Sequence, residues 1–159
     1  MVAAASLSVG CSVHRVGLIA PADPEIERGG VELIATDGSR EPLVLVGSAT
    51  GLRQLDQHLV ELDGRKGFGK IQVTAWRALE GPHGLAVYVG PVQRLGVQIG
   101  IADPSTGQLL VVDERAAREL SPWLGDPVAV EGWIDGPLHL QVVGWVVLDP
   151  PRDEAPAPE

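Results

Sequence analysis

The chain contains one cysteine, Cys11, among its 159 residues. An intramolecular disulfide is therefore excluded, and so is a zinc site built on cysteines. Aromatic side chains make up only 4% of residues, although four of them are tryptophan. No apolar run approaches the roughly 18–20 residues of a membrane-spanning helix. Cations are also few: 12 Lys and Arg stand against 21 Asp and Glu, for a formal net charge of −9. Such a chain repels phosphate backbones, so its acidity disfavours nucleic acid as a partner. No His-Glu-x-x-His, Gly-x-Ser-x-Gly or Gly-Lys-Ser/Thr phosphate-loop pattern occurs. His14, His58, His83 and His139 lack metal-ligand spacing. Neither a metal site, a cofactor nor an enzymatic activity is expected.

What is present points to short strands. The chain is 45% hydrophobic, with 20 Gly and 13 Pro, a composition that can fill a core and turn often. Charge is uneven. Residues 28–96 carry 8 basic and 7 acidic side chains, whereas residues 97–148 carry 2 basic and 7 acidic. The two stretches are thus expected to present different surfaces.

The chain nearly repeats itself. Val31-Glu32-Leu33-Ile34 and Leu43-Val44-Leu45-Val46 have counterparts in Val97-Gln98-Ile99-Gly100-Ile101 and Leu109-Leu110-Val111-Val112. Val73-Thr74-Ala75-Trp76, followed by Gly81-Pro82, reads like Val130-Glu131-Gly132-Trp133, followed by Gly136-Pro137. Self-similarity of this kind marks one supersecondary unit used twice. On this alignment Trp76 and Trp133 match, and each is expected to be a core residue closing its unit. The alternative is a stacking platform for a base, sugar or peptide.

Within the first unit, alternation predicts strands over 31–36, 43–46, 71–79 and 85–92. Leu52, Leu55, Leu59 and Leu62 recur at helical spacing and predict an amphipathic helix that ends at Asp63-Gly64. In the second unit, strands are predicted over 97–102, 108–112, 128–134 and 138–148. Asp113 is a predicted N-cap for a short helix carrying Ala116, Ala117 and Leu120. The order is strand, strand, helix, strand, strand, with possible leading strands over 16–20 and 91–95. It resembles the OB-fold, a small five-stranded Greek-key barrel. An SH3-like barrel or one continuous β-sandwich gives nearly the same string, and so does a pair of barrels sharing one sheet. The expected class is mainly β, with OB-like barrels over 31–95 and 96–148. A disordered tail over 149–159 is expected from its Pro-rich, acidic composition.

Residues 1–30 are expected to be a signal-like segment and tether. The small and apolar residues from Met1 to Gly10-Cys11 resemble the end of a bacterial lipoprotein signal peptide. The resemblance implies lipidation at Cys11 and a bacterial envelope location. The segment departs from that pattern in having no basic start, and Ser8 stands where Leu is usual. The alternative is a cytoplasmic protein.

The loop Arg65-Lys66-Gly67-Phe68-Gly69-Lys70 groups cations around glycines and an aromatic ring, a pattern suited to an anion. Arg65, Lys66, Phe68 and Lys70, with Trp76 and Tyr88, are the candidate ligand-binding residues. Asp126, Glu131 and Asp135 read as solvated carboxylates that make the second unit acidic. The expected function is a non-catalytic binding or assembly module, docked to another protein and held at an envelope membrane by Cys11. The alternative is a cytoplasmic OB-fold protein that binds single-stranded nucleic acid through Arg65, Lys66, Lys70 and Trp76.

Overall fold

Alternation of buried and exposed side chains builds the first unit. Val60, Leu62 and Gly64 are buried on one strand, and Ile71 and Val73 on the next. A computed structural model describes residues 10–25, 27–103 and 105–149, and the chain divides into two units between Val87 and Tyr88. In the first unit, strands β1 (Cys11–Pro21), β2 (Val31–Ala35) and β3 (Arg40–Val44) lead to a 3-10 segment, Gly47–Gln54. Strands β4 (Leu59–Gly67) and β5 (Lys70–Glu80) follow. They close a barrel in the order β1-β2-β3-β5-β4. The β3–β5 pair is parallel, with Leu43 beside Ile71, and the neighbours of β1 are antiparallel. Ile19, Leu33, Leu43, Val60, Leu62, Ile71 and Val73 are buried, with Leu52 and Leu55 of the helical connector.

The second unit contains β6 (Val87–Leu95), β7 (Gln98–Ala102), β8 (Leu109–Val112), helix α1 (Glu114–Leu120), β9 (Pro127–Gly136) and β10 (His139–Val147). Its closed order, β10-β8-β7-β6-β9, is the same topology with a parallel β8–β10 pair. Val92, Ile99, Ile101, Val128, Val130 and Leu140 form its core with Ala116 and Leu120 of the helix. Asp113 caps α1 by accepting from the backbone N–H groups of Arg115 and Ala116. A five-stranded closed barrel with the helical connector between strands three and four is an OB-like arrangement, here present twice.

The register shows which residues truly match. In the first barrel the β4–β5 ladder slips between Asp63 and Gly64, leaving Thr74 as the extra residue. In the second, the β9–β10 ladder slips between Glu131 and Gly132, leaving Val143 extra. Both bulges thus fall at an acidic-Gly step. A Cβ on Gly64 would meet the Gln72 carbonyl oxygen at 2.5 Å, and one on Gly132 the Gln141 oxygen at 1.9 Å. Only glycine fits where the strands bend this closely together. Aligned on the bulge, Val73-Thr74-Ala75-Trp76 corresponds to Val142-Val143-Gly144-Trp145, and Arg65 corresponds to Trp133.

Several sequence expectations need correction. Trp76 and Trp133 do not match: Trp76 lies on the fifth strand of its barrel and Trp133 on the fourth strand of the other. The true pair is Trp76 and Trp145, which cross from Leu62 and Val130 respectively. The expected amphipathic helix stops at the 3-10 segment, and residues from Leu59 onward are strand β4. Leu52 and Leu55 serve the connector, while Leu62 belongs to the period-2 run Val60, Leu62, Gly64; leucines from two elements happened to fall at helical spacing. Residues 11–21, expected within a tether, are β1, paired with both β2 and β4. The first barrel ends with β5 rather than near Leu95, because β6 pairs with β7 of the second barrel. The expectations for residues 1–9 and for the tail from Pro150 lie outside the described residues.

Candidate functional site

The β4–β5 hairpin of the first barrel carries most of the residues singled out from sequence. Between paired Gly67 and Lys70, Phe68 and Gly69 have φ of 51° and 76°, the signs of a type I′ turn. Asn or Gly is the usual first residue there; a phenylalanine at positive φ costs roughly 1–2 kcal/mol. Phe68 is also 96% exposed, so packing within the barrel returns nothing for that cost. Strain held without an internal compensation is characteristic of interaction sites.

Two of the three cations around it, Lys66 and Lys70, are ion-paired. Lys66 Nζ lies 2.6 Å from Glu41 Oε1, and Arg15 Nε lies 2.8 Å from Glu41 Oε2. The Arg15 guanidinium first, and the Lys66 ammonium second, hold the Glu41 carboxyl below the usual carboxylate range. Lys70 pairs with Glu27 at 3.1 Å, which ties the hairpin to the β1–β2 loop. Arg65 is exposed and lines an open groove of about 550 Å³ with His14, Asp63 and Thr74. The structure therefore brings Arg65, Lys66, Phe68 and Lys70 onto one hairpin. Trp76 is half-buried, and its indole N–H donates to the Ser48 carbonyl at 3.1 Å. It fastens β5 to the helical connector, as Trp145 does in the second barrel by donating to Glu119 Oε2 at 2.9 Å. Tyr88 packs against the core of the second barrel and is not part of the hairpin group. Cys11, with an exposed thiol, opens β1 opposite Lys66.

The second barrel presents a different face. Trp133, expected in the core, is 50% exposed on β9, opposite Gln141 of β10. Among the described residues its indole N–H has no acceptor. The ladder skips Asp135, because Ile134 pairs with Leu140 and Gly136 with His139. This bulged residue receives Gln141 Nε2 at 2.7 Å on one oxygen and lies 2.5 Å from His139 Nδ1 on the other. The bond to His139, and then that to Gln141, hold the Asp135 carboxyl below its ordinary range. Next to this row, the turn residue Leu138 has φ of 56° and is 42% exposed. Leu95 precedes the β6–β7 turn and Val97 lies in it, at 67% and 99% exposure. Because Trp133 adds little to the core, Trp133→Ala is expected to change unfolding free energy by less than about 1 kcal/mol. Denaturant titration checks this; a loss of about 3–5 kcal/mol would restore the core assignment.

Trp133 is thus a surface residue rather than the core residue expected, and nothing in the sequence marks the Asp135-Gln141 bond. Aligning the repeats on the acidic-Gly step rather than on tryptophan would have set Trp133 against Arg65, an outward position. Glu131, read as solvated, is buried, as is His58, whose Nδ1 lies 3.0 Å from the Asp56 carbonyl. Elsewhere His14 sits between Asp63 and Glu61, at 2.8 and 3.3 Å, and Arg77 also pairs with Glu61. Among the described residues, no group of three His, Cys, Asp or Glu side chains is placed to hold a metal ion. No described helix is long and apolar enough to cross a membrane.

No protein-family model matches the chain, and no curated protein sequence is similar to it. Among solved structures it is similar to a deletion mutant of the single-stranded DNA binding protein from Thermus aquaticus. Identity is 14%, with 94% of this chain and 99% of that chain covered at a TM-score of 0.31. A likeness that loose carries no argument about what this chain binds.

Proposed function

We propose that the chain is a non-catalytic binding module that docks to another protein, held at a bacterial envelope membrane through Cys11. One contrast carries the docking reading. The hairpin tip of the first barrel exposes a strained apolar ring at Phe68, while Lys66 and Lys70 beside it are engaged in ion pairs with Glu41 and Glu27. A nucleic-acid surface needs its cations free to displace counterions from phosphates. A protein-docking surface needs exposed apolar anchors with a polar rim. The exposed thiol of Cys11, at the first residue of β1, is accessible for the modification that the anchoring half of the proposal requires.

The test places a photo-crosslinking benzoylphenylalanine at position 68 of the natively expressed protein, with the exposed strand position 72 as control. Irradiation is expected to give a discrete protein adduct from position 68 and none from position 72. An adduct with nucleic acid instead, or tight low-salt binding of an oligonucleotide that weakens steeply with salt, would overturn the docking reading. The intact mass of the same protein tests the anchor. A membrane-bound species beginning at Cys11 with acyl-chain mass is expected, and a soluble species retaining Met1 removes the anchor.

A further inference from the structure

We infer that the outer face of the β9–β10 ladder in the second barrel is a receptor for an arginine side chain of a partner protein. The inference rests on the docking reading and names the chemistry of the partner. Trp133 and Asp135, two residues apart on β9, are outward and exposed, and Gln141 lies across from Trp133 while donating to Asp135. An indole and a carboxylate are thus joined through Gln141, the ladder partner of the one and the hydrogen-bond donor to the other.

Three observations set this face apart. First, its polar part is built by a bulge. Asp135 is an extra residue in β9 relative to the first barrel, where Lys66 pairs with Ile71 and Gly67 with Lys70 without interruption. Bulges of this kind re-aim a side chain. Second, Trp133 is spent on nothing internal. Trp76 and Trp145 use their indole N–H groups to bind the helical connectors, whereas Trp133 is half-exposed and its N–H meets no described acceptor. Third, the electrostatics select the ligand. Residues 97–148 carry only 2 basic side chains, Arg115 and Arg118. Arg115 donates to the Val142 carbonyl and Arg118 pairs with Glu114. An ionised carboxylate accepts about four hydrogen bonds, and the two contacts on Asp135 leave room for a forked donor.

A guanidinium satisfies both halves at once. Its plane stacks on the indole, where the ring quadrupole attracts a cation. Its N–H groups reach the carboxylate in a charge-assisted bond. A lysine ammonium offers neither the plane nor the fork. Phosphate is repelled by the Asp135 carboxylate. A neutral sugar could stack on Trp133 but would gain nothing from the charge.

The experiment follows the Trp133 indole N–H resonance of the full chain by NMR. Short peptides bearing two arginines, two lysines or two glutamates are titrated, together with a neutral glucose oligomer. The arginine peptide is expected to shift that resonance saturably, and the lysine peptide to bind several-fold more weakly. Trp133→Ala and Asp135→Asn are each expected to weaken arginine-peptide binding, followed calorimetrically, by about tenfold or more, and Trp133→Tyr to retain most of it. Saturable binding of the sugar with no response to arginine would overturn the inference, as would equal affinity in Asp135→Asn. Silence towards every probe also overturns it. Crosslinking from position 68 is unaffected by these outcomes, so the docking reading stands or falls separately.

Discussion

Gly132→Ala is expected to destabilise the second barrel by about 3 kcal/mol or more, placing it among the most damaging single-atom additions possible in this chain. The added Cβ would lie 1.9 Å from the Gln141 carbonyl oxygen, 3.0 Å from its carbon and 3.3 Å from Val142 Cα. All of these are backbone atoms, so no side chain can swing aside. Relief requires β9 and β10 to separate at the bulge, where Glu131 faces Gly144 and Gly132 faces Val142. Val130, Leu140 and Val142 of the same core flank that point, so separation also loosens packing. A domain of this size is stable by about 5–15 kcal/mol, which makes the loss a large fraction of the whole. Thermal unfolding of the second barrel, resolved by amide exchange at Val130 and Leu140, should fall by roughly 12–24 °C. Gly64→Ala should follow the same rule in the first barrel with a smaller effect, since its nearest backbone contact is 2.5 Å. A midpoint drop for Gly132→Ala of only a few degrees would show that the ladder bends more freely than the register implies.

The glycine pair also shows what the sequence could and could not convey. The strands holding Leu33 and Ile99 were legible as a matching pair, because each apolar run is bounded by breakers. Asp113 was legible as an N-cap because it directly precedes Glu114, Ala116 and Leu120. The match of Trp76 to Trp133 failed because a shared residue type was weighted above the backbone event. The slips at Asp63-Gly64 and Glu131-Gly132 fall at the same place in both barrels, whereas tryptophan can serve a core or a surface equally well. Helical spacing misled at Leu59 and Leu62, since a 3-10 segment followed by a strand can imitate a 3.6-residue period over a few turns. The hairpin holding Arg65, Lys66, Phe68 and Lys70 was readable as one group. The pairing of Lys66 and Lys70 was not, because Glu41 and Glu27 come from elements far away in the chain and only closure of the barrel brings them near.

Asp113 is the second residue whose loss should be severe. Its Oδ1 accepts from the backbone N–H groups of Arg115 and Ala116, each at 3.0 Å. Its Oδ2 accepts from the Val142 N–H at 2.9 Å, beside the Val142–Gly144 bulge in the ladder. One carboxylate therefore caps α1 and satisfies a strand donor. Asp113→Ala removes a cap worth about 1 kcal/mol and strands the partly buried Val142 donor at about 1–3 kcal/mol. The expected loss is about 3 kcal/mol. Asp113→Asn should lose about half of that, since an amide presents one acceptor oxygen and its nitrogen cannot receive the remaining N–H. Burial pushes the Asp113 carboxyl up, but the N–H groups of Val142, Ala116 and Arg115 together outweigh it and leave it below its ordinary value. A carboxyl lowered in the folded state binds its proton more readily when unfolded. Its contribution is then full above the unfolded value of about 3.9 and is lost as pH falls through the folded one. Denaturant midpoints of wild type and Asp113→Asn should thus differ by a constant amount from about pH 5 to 8 and converge below about pH 4. Other carboxyls lowered in the fold, Glu41 and Asp135 among them, titrate alike in both proteins and cancel in the difference. A gap that persists undiminished at the lowest pH would mean that Asp113 acts by shape rather than by charge.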